Sequence, residues 1–136
     1  DFMKPNSMRE GVKYLPDKKV DIFMVTLNKS DKDYSPSTMY SDYSINEWLF
    51  HWQSQSTTTP ESTTGQRYIH HKERGNKLLL FVREFKNDKF GTAPYTFLGT
   101  VNYVKHEGSR PISFTFKLDS PIPAKYLKKT NKLVIG

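Results

Sequence analysis

Apolar and polar residues alternate along several stretches of this chain, and each such stretch reads as a strand. Val20 to Leu27 (VDIFMVTL) is β-branched and apolar, bounded by Asp-Lys-Lys and Asn-Lys-Ser. Tyr40 to Ile45 reads as extended, and Trp48 to Ser54 as the next strand. Leu78 to Phe85 (LLLFVREF) is the most apolar run. A charged turn over Lys86 to Gly91 separates it from Tyr95 to Val104, a long strand with Gly99 inside it, where a bulge or bend is expected. His106 to Pro111 reads as a turn, and Ile112 to Asp119 (ISFTFKLD) alternates cleanly. Loops are expected over Asp31 to Thr38 and over the hydroxyl-rich Thr57 to Thr64. Helical spacing runs over Gly65 to Arg74, with Thr64 as the expected cap, Tyr68, Ile69 and Lys72 on the pattern, and Gly75 as the stop. Pro121 to Lys129 reads as a short closing helix with Pro123 in its first turn. The pattern predicts a mainly β, α+β fold: a curved sheet closing towards a β-barrel, with one principal helix and a short C-terminal helix.

The length, 136 residues, suits one domain with a real core, so residues 1–136 are read as a single unit. The chain opens on Asp1 rather than Met, which suggests a piece of a longer or processed protein. No signal peptide is expected, and no apolar run along the sequence is long enough to span a membrane. Cysteine is absent, which excludes disulfides and thiolate metal sites and fits a cytoplasmic setting. The net charge of +7 favours a polyanionic partner. The basic residues are scattered, so folding must assemble any phosphate-binding surface.

Glu47 to Thr58 (EWLFHWQSQSTT) carries the candidate binding chemistry. As a strand it places Trp48, Phe50 and Trp52 on one face, and Leu49, His51, Gln53 and Gln55 on the other. Flat aromatic faces beside neutral donors and acceptors suit a nucleobase, whereas a plain core strand running into a polar loop has the same composition. Just upstream, Asp42 stands between aromatic neighbours in Tyr40-Ser41-Asp42-Tyr43. A carboxylate there can accept the exocyclic amino hydrogen of cytosine, or it can cap a turn. The adjacent His70 and His71 leave a helix on different sides, which makes a poor chelate and suggests surface positions. His106 and Glu107 read either as an acid–base pair or as a turn contact. Phosphate-loop, GxSxG, HExxH and GxGxxG motifs are all absent.

In the order REGVKY, VTLNKSDKDYSP, LFHWQSQSTT, TGQRYIHH, LLFVREF, APYTFLG and YVKHEGSRP, the chain resembles the C-terminal module of SauUSI-type, modification-dependent (type IV) restriction enzymes. Those proteins also carry a phospholipase-D-type nuclease domain and a superfamily II helicase domain. The resemblance implies that cleavage and ATP-driven motion, with ATP and Mg, belong to other domains of the same chain. This module, itself without enzyme activity or cofactor, then reads 5-methylcytosine or 5-hydroxymethylcytosine in duplex DNA. The order Tyr-x-Asp, aromatic strand, hydroxyls also looks like the pocket of SRA domains, which flip methylcytosine from the duplex. The strand FLGTVNYV looks like the bent strand of PUA-like and SRA-like barrels. On that likeness Asp42 takes the cytosine amino group and Ser54 or Ser56 stands near its hydroxyl partner.

The pocket expected from the residues and the resemblance together comprises Tyr40, Asp42, Tyr43, His51, Trp52, Gln53, Ser54, Gln55 and Ser56. Arg67, Lys72, Arg83 and Arg110 are the expected phosphate ligands. The expected partners are modified duplex DNA and the helicase and nuclease domains. Three alternatives stand beside this reading: a small nuclease or hydrolase using His106, Glu107 and His51, a protein-interaction module that docks the nuclease to the helicase, and an RNA-binding PUA-like domain.

Overall fold

A computed structural model describes residues 11–28 and 42–127. In chain order its elements are β1 (Val12–Leu15), β2 (Val20–Asn28), β3 (Tyr43–Ser44), β4 (Leu49–Gln53), α1 (Thr63–Ile69), β5 (Lys77–Phe85), β6 (Asn87–Asp88), β7 (Gly91–Thr92), β8 (Thr96–Glu107) and β9 (Ser113–Leu118). One further helical turn covers residues 124–127. Seven strands form one mixed sheet in the order β1-β2-β5-β8-β9-β4-β3, and β6 and β7 make a separate two-stranded hairpin.

The mainly β, α+β architecture agrees with the sequence pattern, but the barrel is not closed. Among the described residues β1 and β3 each have one neighbour and form the two edges of the sheet. The pair β2–β5 is parallel. That geometry requires a long crossover, and β3, β4 and α1 lie within it.

The strands follow their alternation. Asp21, Phe23 and Val25 of β2 pair with Leu78, Leu80 and Val82 of β5, all buried, and Leu27 of β2 is buried as well. Phe50 and Trp52 of β4 meet Phe116 and Phe114 of β9. The centre is aromatic. The Phe23 and Trp52 rings stack at 4.2 Å, and Tyr68 of α1 meets both edge-on at 5.3 and 5.6 Å. The expected irregularity at Gly99 is present: the β5–β8 register shifts between Leu80 and Phe81, and Gly99 has φ +117. That conformation explains a glycine inside a long strand.

Several expectations are corrected. The cap of α1 is Ser62, whose Oγ accepts from the Gly65 N–H at 3.0 Å, rather than Thr64. The α-helix ends at Ile69, and turns continue to Gly75. Gly65 packs so closely that a Cβ there would lie 2.1 Å from the Thr59 carbonyl oxygen, which pins the helix start onto the hydroxyl-rich loop. β8 runs on to Glu107, so His106 and Glu107 are strand residues and not part of a turn. The Lys86 to Gly91 turn is itself a small hairpin. β1 was not apparent in the sequence pattern because its four residues are too few to show a period.

Candidate nucleic-acid interface

Four strands build one polar face on the side of the sheet away from the core. Because inward positions of β4 and β9 are held by Phe50, Trp52, Phe114 and Phe116, their alternate residues point outward. Register then aligns them in rows. Tyr43, His51, Thr115 and Lys105 form one row across β3, β4, β9 and β8. Gln53, Ser113 and Glu107 form a second, and Leu49, Lys117 and Asn102 a third. The Tyr43 and His51 rings stack at 4.6 Å with planes 15° apart. The Gln53 amide donates to Ser113 Oγ at 3.1 Å, and Asp42 Oδ1 accepts from the Gln53 backbone N–H at 2.9 Å. Asp42, Tyr43, His51 and Gln53 therefore do come together. They present aromatic surface, an amide, hydroxyls and a carboxylate, with Lys105 and Lys117 exposed alongside. Such a face can stack on a flat ring and hydrogen-bond its edge.

The other expected pocket residues go elsewhere. Trp52 is 3% exposed and stacks on Phe23, so its ring belongs to the core. Trp48 does not share its face. It lies 41% exposed in the bend before β4, where Asn46 Oδ1 accepts from the Trp48 and Leu49 N–H groups at 2.8 and 2.9 Å. Ser54 is a clasp: its Oγ accepts from the Ile112 N–H at 2.9 Å and donates to the Gln55 carbonyl at 3.1 Å. Gln55 Oε1 accepts from Tyr68 Oη and Thr58 Oγ1, both at 3.2 Å, and so ties the loop to α1. Ser56 is exposed on that loop, and Tyr40 lies outside the described residues.

The expected phosphate ligands also divide. Arg67 grips Asp21 with two bonds, Nε to Oδ2 at 2.8 Å and Nη2 to Oδ1 at 2.9 Å, and its guanidinium lies 3.6 Å over the Tyr14 ring. Burial opposes its charge, but the hydrogen bonds and charge of Asp21 outweigh burial and raise its pKa. Arg83 donates to Thr26 Oγ1 at 2.9 Å and to the Ala93 carbonyl at 3.0 Å, and covers the Tyr95 ring at 4.2 Å. Both arginines, expected as phosphate ligands, act here as internal braces. Lys72 and Arg110 are exposed and remain free to meet an anion.

Beneath Arg67 lies a buried polar network that sequence reasoning missed. Asp21, 0% exposed, occupies an inward position of β2 and also accepts from Asn76 Nδ2 at 2.9 Å. A charged residue within VDIFMVTL was the available signal. His71, expected at the surface, is 3% exposed. Its Nδ1 pairs with the Asn76 carbonyl at 3.0 Å, and its Nε2 accepts from the Tyr103 N–H at 3.1 Å. Those partners require the neutral imidazole with the proton on Nδ1. Burial accordingly lowers the His71 pKa. Because the unfolded state takes up the proton first, this contribution to stability is complete above the ordinary histidine pKa of about 6.5 and is lost as pH falls below it. Urea midpoints measured between about pH 7.5 and 5.5 are expected to fall on acidification, less steeply in His71→Gln.

Beside this network a hollow of about 320 Å³ is lined by His71, Asn76, Lys77, Thr100, Asn102 and Asp119, among others. Hydrogen bonds from Thr100 and Asn102 hold the Asp119 carboxyl below its usual pKa. Of the expected site residues among those described, only Lys72 lines the hollow. His106 and Glu107, consecutive in β8, point to opposite faces, and His106 Nδ1 pairs with Tyr103 Oη at 2.7 Å. Among the described residues no group of three or more His, Asp or Glu is placed to hold a metal ion, and no helix is long and apolar enough to cross a membrane.

No curated protein matches the chain. A family model described as a domain of unknown function, DUF3427, matches residues 2–129. With nearly its whole length matched, the chain belongs to the DUF3427 family.

Proposed function

We propose that this chain is a DNA-binding specificity module that recognises 5-methylcytosine or 5-hydroxymethylcytosine. It directs a helicase motor and a nuclease in the same cytoplasmic, SauUSI-type restriction enzyme, which themselves use ATP and Mg. The observation that carries this reading is the outward row Tyr43–His51–Thr115–Lys105, with Asp42 and Gln53 beside it. Stacked rings, an amide, a carboxylate and lysines are the groups that a base and its phosphate require. The likeness to SRA-type pockets is one of site chemistry rather than of a closed barrel. It would have the modified base extruded onto this face.

Extrusion costs on the order of a few kcal/mol. Stacking on Tyr43 or His51 returns roughly 1–3 kcal/mol per base. Phosphate contacts supply more, and Lys105, Lys117, Lys72 and Arg110 are among the exposed cations available for them. Burying one methyl contributes only about 0.8 kcal/mol, so discrimination rests on close packing around the methyl or on amplification by the motor. Interdomain docking is the second reading, favoured by the exposed Trp48, Phe85 and Phe97. Equilibrium binding to matched duplexes that differ only in cytosine modification separates the two. The base-reading account expects tighter binding to a modified duplex, and docking alone expects no affinity for DNA.

A further inference from the structure

The hollow beside the Asp21–His71 network holds a charge pattern that packing does not explain. Thr100 and Asn102 of β8 line it, and β8 lies between β5 and β9 in the sheet. Lys77, the first residue of β5, therefore enters from one side and Asp119, just after β9, from the other, while the turn after α1 adds Lys72. The carboxylate is held in place. Thr100 Oγ1 donates to Asp119 Oδ2, and Asn102 Nδ2 donates to Oδ1 at 3.0 Å and also to the Lys117 carbonyl at 3.2 Å. These hydrogen bonds, and then the charges of Lys72 and Lys117, keep Asp119 ionised. Yet among the described residues no ion pair closes between Asp119 and a lysine. Opposite charges thus face a shared space of about 320 Å³ without neutralising one another.

We propose that this hollow binds a small phosphorylated sugar, with the phosphate on Lys72 and Lys77 and a pair of sugar hydroxyls on Asp119. Charge selects the phosphate. Lys72 and Lys77 line the hollow and Lys117 stands beside it, whereas Asp119 is its one acidic lining residue. A phosphate monoester carries about −1.5 to −2 near neutral pH and balances that excess, which a zwitterion without net charge does not. The carboxylate selects the hydroxyls. Of its roughly four acceptor positions, Thr100 and Asn102 occupy two and leave one on each oxygen, the pattern that two neighbouring hydroxyl donors fill. The lining disfavours a base. No phenyl, phenol or indole ring lines the hollow, and both ring nitrogens of His71 are already engaged. The volume sits at the low end of the roughly 300–1,000 Å³ common for small-molecule sites. The inference is independent of base reading, since it requires no DNA.

The test is calorimetric titration of the 136-residue chain with ribose 5-phosphate, beside ribose and inorganic phosphate as its two halves. Ribose 5-phosphate is expected to bind about tenfold or more tighter than either half, because only the whole molecule engages both sides of the hollow. Lys77→Gln and Asp119→Asn are each expected to weaken it roughly tenfold or more, the loss of one charge-assisted hydrogen bond. Lys77 is exposed, so Lys77→Gln is expected to keep the wild-type melting temperature and carries the test where Asp119→Asn loosens the end of β9. Adenosine 5′-monophosphate keeps the phosphate and the hydroxyl pair and adds a base. It is expected to bind no tighter than ribose 5-phosphate; tighter binding that Lys77→Gln still weakens would name a nucleotide as the source of the same sugar phosphate. No binding of ribose 5-phosphate would overturn the proposal. So would inorganic phosphate binding as tightly as the whole molecule, or binding that Lys77→Gln leaves unchanged. None of these outcomes bears on the DNA measurement above, so the two readings fail separately.

Discussion

Replacing Trp52 with alanine is expected to destabilise the fold by about 3–5 kcal/mol, the range for deleting a large buried aromatic. Trp52 stacks on Phe23 at 4.2 Å, meets Tyr68 edge-on at 5.6 Å and lies 5.9 Å from both Phe114 and Phe116. No neighbour can collapse into the space of an indole without leaving its own contacts, so the cavity persists. Trp48→Ala, at the exposed tryptophan, is expected to change stability by within about 0.5 kcal/mol. Urea denaturation of the two variants makes the comparison directly. A folded Trp52→Ala with an unshifted midpoint but lost DNA binding would return Trp52 to the binding surface.

Asp21→Ala is expected to cost a similar amount, about 3–5 kcal/mol, because it strands a charged partner. Asp21 accepts two bonds from Arg67 and one from Asn76 with no exposure to solvent, and the Arg67 side chain is itself only 13% exposed. Without Asp21 the guanidinium keeps its stacking on Tyr14 but loses its counter-charge, and Asn76 loses its acceptor. Asn76 already has an Oδ1 that is buried with no hydrogen-bond partner, so a second unsatisfied group there compounds the loss. The double variant Asp21→Leu with Arg67→Met is expected to lose less than the sum of the two single changes, since it removes the orphaned charge along with its partner. Guanidinium midpoints of the four proteins form the cycle. Additive losses would show that the pair acts as two independent surface groups.

The sequence pattern located the long strands: ISFTFKLD alternates because burial on one face imposes period two, and VDIFMVTL and LLLFVREF are β-rich apolar runs bounded by polar residues. It also located the bulge at Gly99, because a glycine inside a strand has few other uses. The local pattern could not say which end of EWLFHWQSQSTT the core would claim. Alternation grouped Trp48 with Trp52, but β4 begins only at Leu49 and the bend capped by Asn46 turns Trp48 outward. The bracing roles of Arg67 and Arg83 were hidden for a related reason. Arg67 and Arg83 read as free cations along the chain, and only long-range register brings Asp21 and Thr26 within their reach. His71 was misplaced because its acceptor and donor partners, the Asn76 carbonyl and the Tyr103 N–H, lie beyond the helix on which it was judged. The outward row was half legible. Tyr43, His51 and Gln53 were in the expected pocket, whereas Ser113, Thr115 and Lys117 could have been drawn from the same alternation that marked their strand.

The central claim is that the outward face of β3, β4 and β9 reads a modified cytosine. The most direct measurement is equilibrium binding, at one fixed moderate salt, to three duplexes identical except for cytosine, 5-methylcytosine or 5-hydroxymethylcytosine at one position. Asp42→Asn is run beside the wild type, because the amide keeps an oxygen for the Gln53 N–H while removing the carboxylate charge. The account predicts tighter binding of the wild type to a modified duplex and loss of that preference in Asp42→Asn. Equal affinity of the wild type for all three duplexes, or a preference that Asp42→Asn leaves untouched, would contradict it.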